Sequence, residues 1–366
     1  MVDQQQRQPV TEPAATTTPP TVAQPTTQSE AQPEAQISIE ADDQLEREDT
    51  ASVTGQSDIS SDESQASLRS SILDYRRENG RTYHRLSDGA YVLPNDELEQ
   101  ERLDIVNHLW MLTLDGKFCL CPKNEGAKRV LDVGTGTGIW AMDYADEHPS
   151  AEVIGVDLSP IQPSYVPANC VFEVDDLEKE WTWTTPFDFV FARNLMGSFS
   201  DWEGFIKQAY DNLEPGGYLE LQDSIYPIVC DDGTLKEDSA LMKWTRLIVE
   251  AGDKIGRSTT IPDRFPRLLE EAGFEDINTT RVKFPVSPWP KDPKLKELGS
   301  WTQASLITGI EGISLGLFTR ILNWEPEETM VFCTQVRDEV KDIRLHGYWN
   351  GIAVYARKPF PKEEDA

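Results

Sequence analysis

Positive charge is scarce in this 366-residue sequence: 34 Lys and Arg face 64 Asp and Glu, a net charge of −30. Neutralising phosphates with Lys and Arg is the main source of nucleic-acid affinity, so DNA and RNA are not expected partners. Such a surface leaves basic or neutral partners open. A basic cluster of the nuclear-import type is also missing. Cysteine is sparse: Cys119, Cys121, Cys170, Cys230 and Cys333 form no C-x-x-C pair, and the four histidines add no zinc spacing. No metal site is expected, and a reducing compartment, cytoplasm or nucleus, fits best. With no signal-peptide core and no apolar run of spanning length, the chain is expected to be soluble and free of the membrane.

The aromatics are unevenly spread. All ten Trp lie between residues 70 and 359, whereas residues 1–37 are built from Gln, Pro, Thr, Ala and Glu. A segment of that kind cannot bury enough apolar surface to offset the entropy of ordering. Residues 38–65 turn acidic and Ser-rich, as a solvated tail does. The expected layout is a disordered tail over 1–69, one folded domain over 70–360 and a short tail over 361–366.

Within the domain, Ile72, Leu73 and Tyr75 suggest a short helix ending near Gly80. A longer helix follows, led in by Pro94 and Asn95, with Asp96 and Glu99 as a capping box and with Leu98, Ile105, Val106, Leu109 and Leu112 on one face. Strands and helices then alternate, which implies an α/β fold with a mostly parallel sheet. The expected strands start at Arg129, Glu152, Cys170, Phe187 and Tyr218, and helices cover Ile139–Glu147 and Trp202–Leu213. After a helical stretch from Leu235 to Ala272, Asp276–Phe284 reads as a strand. Residues 285–338 read as an insertion, and Gly351–Arg357 as a final strand that returns antiparallel.

The strongest chemical signal is VLDVGTGTG, Val130 to Gly138. A buried strand runs into glycines at 134, 136 and 138, which permit a tight turn and a close backbone approach to a ligand. The helix that starts at once offers free N–H groups to an anion. A dinucleotide fingerprint would need Gly or Ala at 139, where Ile139 stands. With Asp132 two residues before the first glycine, D-x-G-x-G-x-G instead resembles motif I of class I methyltransferases. That resemblance assigns Asp132, Gly134, Thr135, Gly136 and Gly138 to the methionine end of the cofactor, S-adenosyl-L-methionine.

Asp157 ends the second strand, where an acid can accept both ribose hydroxyls, with Leu158 beside it. Capping the next helix is its other use. Asp175, Asp176 and Leu177 follow the third strand; in methyltransferases an acid there contacts the adenine amino group, although either Asp could equally be a cap. Arg193, Asn194 and Met196 follow the fourth strand, at the sheet edge where doubly wound folds bind ligands. There Asn194 and Met196 could face both sulfonium and acceptor, whereas Phe199 reads as core.

Five further segments make the resemblance specific: ENGRTYH (Glu78 to His84), YVLPNDELEQERLDI (Tyr91 to Ile105), GTGIWA (Gly136 to Ala141), GVDLSPIQP (Gly155 to Pro163) and YARKP (Tyr355 to Pro359). Together they resemble the LaeA methyltransferase family, fungal proteins that regulate secondary-metabolite gene clusters or serve as methyltransferases within one. The resemblance covers residues 70 to 360. It implies a Rossmann-like, doubly wound, mostly parallel seven-stranded sheet with an N-terminal helical lid over 70–125 and a C-terminal helical insertion. It also places Tyr83 and His84 near the cofactor.

Methyl transfer from an activated sulfonium asks mainly for positioning. Only a poorly ionised acceptor would need a base, and His84 is the candidate. The Trp-rich insertion, Trp301 above all, would cover an apolar acceptor. The expected function is therefore methylation of a small secondary metabolite. The rival is a regulator of the same fold acting through protein partners. An NAD-dependent enzyme is disfavoured by the glycine spacing.

Overall fold

The computed structural model describes residues 75–84, 86 and 91–361. The tail expected over 1–69, the start of the first expected helix and residues 362–366 lie outside them. The first described element corrects an expectation: Arg76–Glu78 (β1) and Arg81–Tyr83 (β2) form an antiparallel hairpin, not a helix. Asn79 and Gly80, at φ +50° and +76°, supply the two positive angles of a two-residue hairpin turn.

Helix α1, Glu97–Thr113, begins at Asp96, whose carboxylate accepts the Glu99 N–H at 3.2 Å and both ends of the Arg81 guanidinium at 2.5 and 2.7 Å. Of the face the apolar spacing suggested, Leu109 is buried and Val106 and Leu112 pack against the core, but the first turn differs. Leu98 is 54% exposed, while Glu99 is buried against Arg102.

The core is a seven-stranded sheet of β3 (Arg129–Val133), β4 (Glu152–Asp157), β5 (Cys170–Val174), β6 (Phe187–Arg193), β7 (Leu213–Val229), β8 (Glu275–Pro285) and β9 (Tyr348–Arg357), in the order β5-β4-β3-β6-β7-β9-β8. The first five strands are parallel, and β9 runs antiparallel to both neighbours. The chain leaves β3 in one direction toward β4 and β5 and later returns on its other side as β6, so a crevice opens at their carboxyl ends.

Both faces are covered. Val130 packs with α2 (Ile139–Glu147), whereas its neighbour Leu131 joins the opposite cluster with α3 (Trp202–Asn212) and α5 (Phe265–Glu271), as period-two alternation requires. A third cluster unites α1, α4 (Ala240–Lys254), α6 (Pro293–Arg320) and α7 (Pro326–Lys341) above the sheet edge.

Helix α6 carries glycines where the N-terminal segment lies against it. A Cβ at Gly316 would stand 2.2 Å from the Val92 carbonyl oxygen, and one at Gly309 would stand 2.2 Å from Cδ of Arg102. The insertion is thus shaped to receive α1 and the strap before it. Among the described residues no helix is long and apolar enough to cross a membrane.

Candidate active site

A cleft lies at the carboxyl ends of β3, β4, β5 and β6. Most of the residues assigned to the cofactor from sequence line it: Asp132, Gly134, Thr135, Gly136, Asp157, Leu158, Asp175, Asp176, Leu177, Arg193 and Asn194. The buried Asp132 carboxylate accepts the Thr135 hydroxyl at 2.6 Å, and burial raises its pKa to about 7. A carboxylate held in this way gains most from a cation brought to it, such as an α-ammonium group.

Asp157 accepts the Gly136 N–H at 2.9 Å on one oxygen and the Ser159 N–H at 2.9 Å on the other. These bonds fix its orientation at the end of β4, and each oxygen keeps a lone pair for a ribose hydroxyl. Asp176 accepts the Glu178 N–H at 3.1 Å and pairs with Lys179. It serves as a turn cap, which leaves Asp175 as the more exposed acid of the two. The Arg193 guanidinium is spent on the protein, donating to Gln222, Asn107 and the Phe118 carbonyl at 2.8, 2.9 and 3.0 Å, and burial pulls its pKa down to about 10.

Asn194 sits at φ +56°, an uncommon angle for a non-glycine residue and one that often marks a functional turn. The Trp110 indole N–H donates to its side-chain oxygen at 3.0 Å.

Four of the residues assigned from sequence stand elsewhere. Gly138 is not on the cleft lining; it holds the left-handed position before α2 at φ +80°, and a Cβ there would lie 2.4 Å from Phe172. Tyr83 is buried beneath the Arg320 guanidinium, 4.2 Å from its ring centre. Trp301 is half-buried and packs edge-on against the exposed His108 with ring centres 4.3 Å apart, a contact between α6 and α1 outside both cavity linings. His84 is buried with its ring 5.8 Å from that of Tyr91 and is an electrostatic neighbour of Asp157, not a member of either cavity lining.

A second cavity adjoins the cleft, and the two share Tyr91 and Asn194. Its walls are largely apolar and aromatic, with Leu109, Trp110, Phe284, Leu306 and Trp349 among them, and Met196 is also on its lining. Sequence reasoning missed Asn95, Glu99, Leu103 and Asn107, by which α1 and its lead-in close the cofactor cleft. Their signal was an opposite-charge pair, Glu99 and Arg102, set inside an otherwise apolar helix face. The fold also brings Cys119, Cys121 and Glu220 within 4.8 Å, but both Glu220 oxygens are engaged by the N–H groups of Leu120, Cys121 and Gln222.

The strand order, the glycine loop after β3 and the acids at the ends of β3, β4 and β5 define a class I, S-adenosylmethionine-dependent methyltransferase. A methyltransferase-domain family matches residues 108–279. The chain is 43% identical over 303 residues to methyltransferase pytC of Aspergillus terreus, covering 82% of this chain and 94% of that protein. It is 36% identical to the probable methyltransferase tdiE of Emericella nidulans, covering 72% and 83%. It is 35% identical to the secondary metabolism regulator laeA of Aspergillus fumigatus, covering 77% and 76%. The chain belongs to the LaeA methyltransferase family, and its cofactor is S-adenosyl-L-methionine.

Proposed function

We propose that the protein transfers the methyl group of S-adenosylmethionine to a small, largely apolar secondary metabolite or biosynthetic intermediate. The observation that carries this reading is the second cavity: an aromatic-walled space sharing Tyr91 and Asn194 with the cofactor cleft. The methyltransferase names of two relatives support the reaction.

When bound, the cofactor supplies a methyl group already activated on a cationic sulfur. The chain's residues position. In this reading Asp132 holds the ammonium, Asp157 the ribose and Asp175 the adenine edge, while the Trp110 indole donates to the Asn194 side chain at the junction of the two cavities. No described residue on the acceptor cavity is a His, Asp, Glu or Lys, so proximity and orientation carry the catalysis.

A second reading is favoured by the 35% identity to a regulator: a methyltransferase-like protein acting through protein partners in the nucleus. Metabolites and transcripts of a deletion strain separate the two. The enzyme reading predicts one compound replaced by its form lacking a single methyl group, with transcripts unchanged. Collapse of many cluster transcripts would overturn it.

A further inference from the structure

Two ion pairs stand between the cofactor cleft and the acceptor cavity, and both point the same way. Glu99 lines the cofactor cleft while its partner Arg102 lines the acceptor cavity, joined by Nε and Nη2 at 3.0 and 2.6 Å. Glu178 lines the cofactor cleft while its partner Arg257 lines the acceptor cavity, joined at 2.5 Å. Arg257 also donates to the Ser198 carbonyl. The dividing wall is therefore negative toward the cofactor, whose sulfur is cationic, and positive toward the acceptor.

Among the described lining residues of the acceptor cavity, these two arginines are the only charged groups. The other ionisable ones are Tyr91 and Tyr226, whose hydroxyls burial pushes well above their ordinary pKa, so they stay neutral donors. Arg102 keeps its charge in spite of burial, since Glu99 holds its pKa above the ordinary value. Its place is built in. Gly309 of α6 leaves room for its stem, which a Cβ would meet at 2.2 Å, and the Nη1 donors lie outside the contact with Glu99.

We infer that the acceptor is an acidic hydroxyl compound, an enol, a phenol or a carboxylic acid on an apolar skeleton, bound as its anion beside Arg102. This accounts for a cavity lined by cations and no base. An oxygen already ionised needs no proton removed at transfer; its lone pair forms the new C–O bond as the methyl C–S bond breaks, and that bond's electron pair stays on sulfur. The anion and the sulfonium are both neutralised, so the methylated product loses its charge attraction to the arginines, which keep Glu99 and Glu178 as partners, and its release is favoured.

The inference rests on the methyl-transfer reading, and binding measurements keep the two apart. The full-length protein, saturated with S-adenosylhomocysteine, is titrated with ionised 4-hydroxycoumarin and with its neutral 4-methoxy ether. The anion is expected to bind at least about tenfold more tightly. Arg102→Met is expected to bring that ratio below about threefold while the ether binds as before. Because the single change leaves Glu99 buried without its partner, the double variant Glu99→Gln, Arg102→Met is measured beside it and is expected to lose the preference equally. A ratio near one in the parent protein, or a ratio that either variant leaves unchanged, overturns the inference. Failure of the parent to bind S-adenosylhomocysteine would instead fall on the methyl-transfer reading itself.

Discussion

Replacing Gly136 with Val weakens S-adenosylhomocysteine binding by at least about 100-fold while leaving the fold intact. Gly136 lies on the cleft lining at φ +58°, its N–H donating to Asp157 and its carbonyl accepting from Gln162. The nearest heavy atom to an added Cβ is Cδ1 of Leu103 at 3.3 Å, on the α1 side of the cleft. A valine there fills space that the cofactor needs. The positive φ costs a β-branched residue about 1–2 kcal/mol, so the melting temperature falls by only a few degrees. Gly138→Val is the informative contrast, because its Cβ would collide with Phe172 inside the protein. That variant should lose stability more than affinity. Calorimetric titration and thermal melts of both variants check the pair, and undiminished binding by Gly136→Val would remove the loop from the cofactor site.

The second large effect is one of pH. Asp132 is buried and its pKa rises from 3.8 to about 7; burial is the chief cause, with the charge of Asp157 adding and the Thr135 hydroxyl and Arg193 opposing. A protonated Asp132 offers an ammonium no charge, so binding must expel the proton. Affinity for S-adenosylhomocysteine should rise about tenfold per pH unit from about pH 5 to about pH 7 and level off above, with a proton released on binding in the lower range. The same group sets a stability trend in the free protein. Its folded pKa exceeds the unfolded one, so the folded state binds more protons between about pH 4 and 7, and its contribution to stability declines as pH rises through that window. Asp132→Asn should flatten both trends. A steep pH dependence that survives in Asp132→Asn would assign it to another group.

The parts of the site that were legible in sequence are those where one local rule dominates. A buried strand that runs into closely spaced glycines, and acids at the ends of successive strands, announce themselves because parallel strands have a fixed chemistry at their carboxyl edge. Asp132, Asp157, Asp175 and Asp176, singled out in this way, all line the cleft. Where two local readings share one signal, the choice failed. Asn79-Gly80 can end a helix or turn a hairpin, and it turns a hairpin.

Tertiary context defeated the rest. Trp301 has the character of a pocket aromatic yet packs on His108, and Gly138 belongs to the glycine motif yet makes room for Phe172. Glu99 reads in sequence as the far half of a capping box with Asp96; only the packing of α6 on α1 buries it against Arg102 and sets the pair between two cavities.

The central claim is that this chain methylates a small molecule. The purified protein, given S-adenosylmethionine tritiated on its methyl group and an extract of a fungal culture, tests it most directly once the products are split into solvent-extractable and macromolecular fractions. The account predicts label in a solvent-extractable compound, absent with Gly136→Val. Label confined to protein or nucleic acid would contradict it.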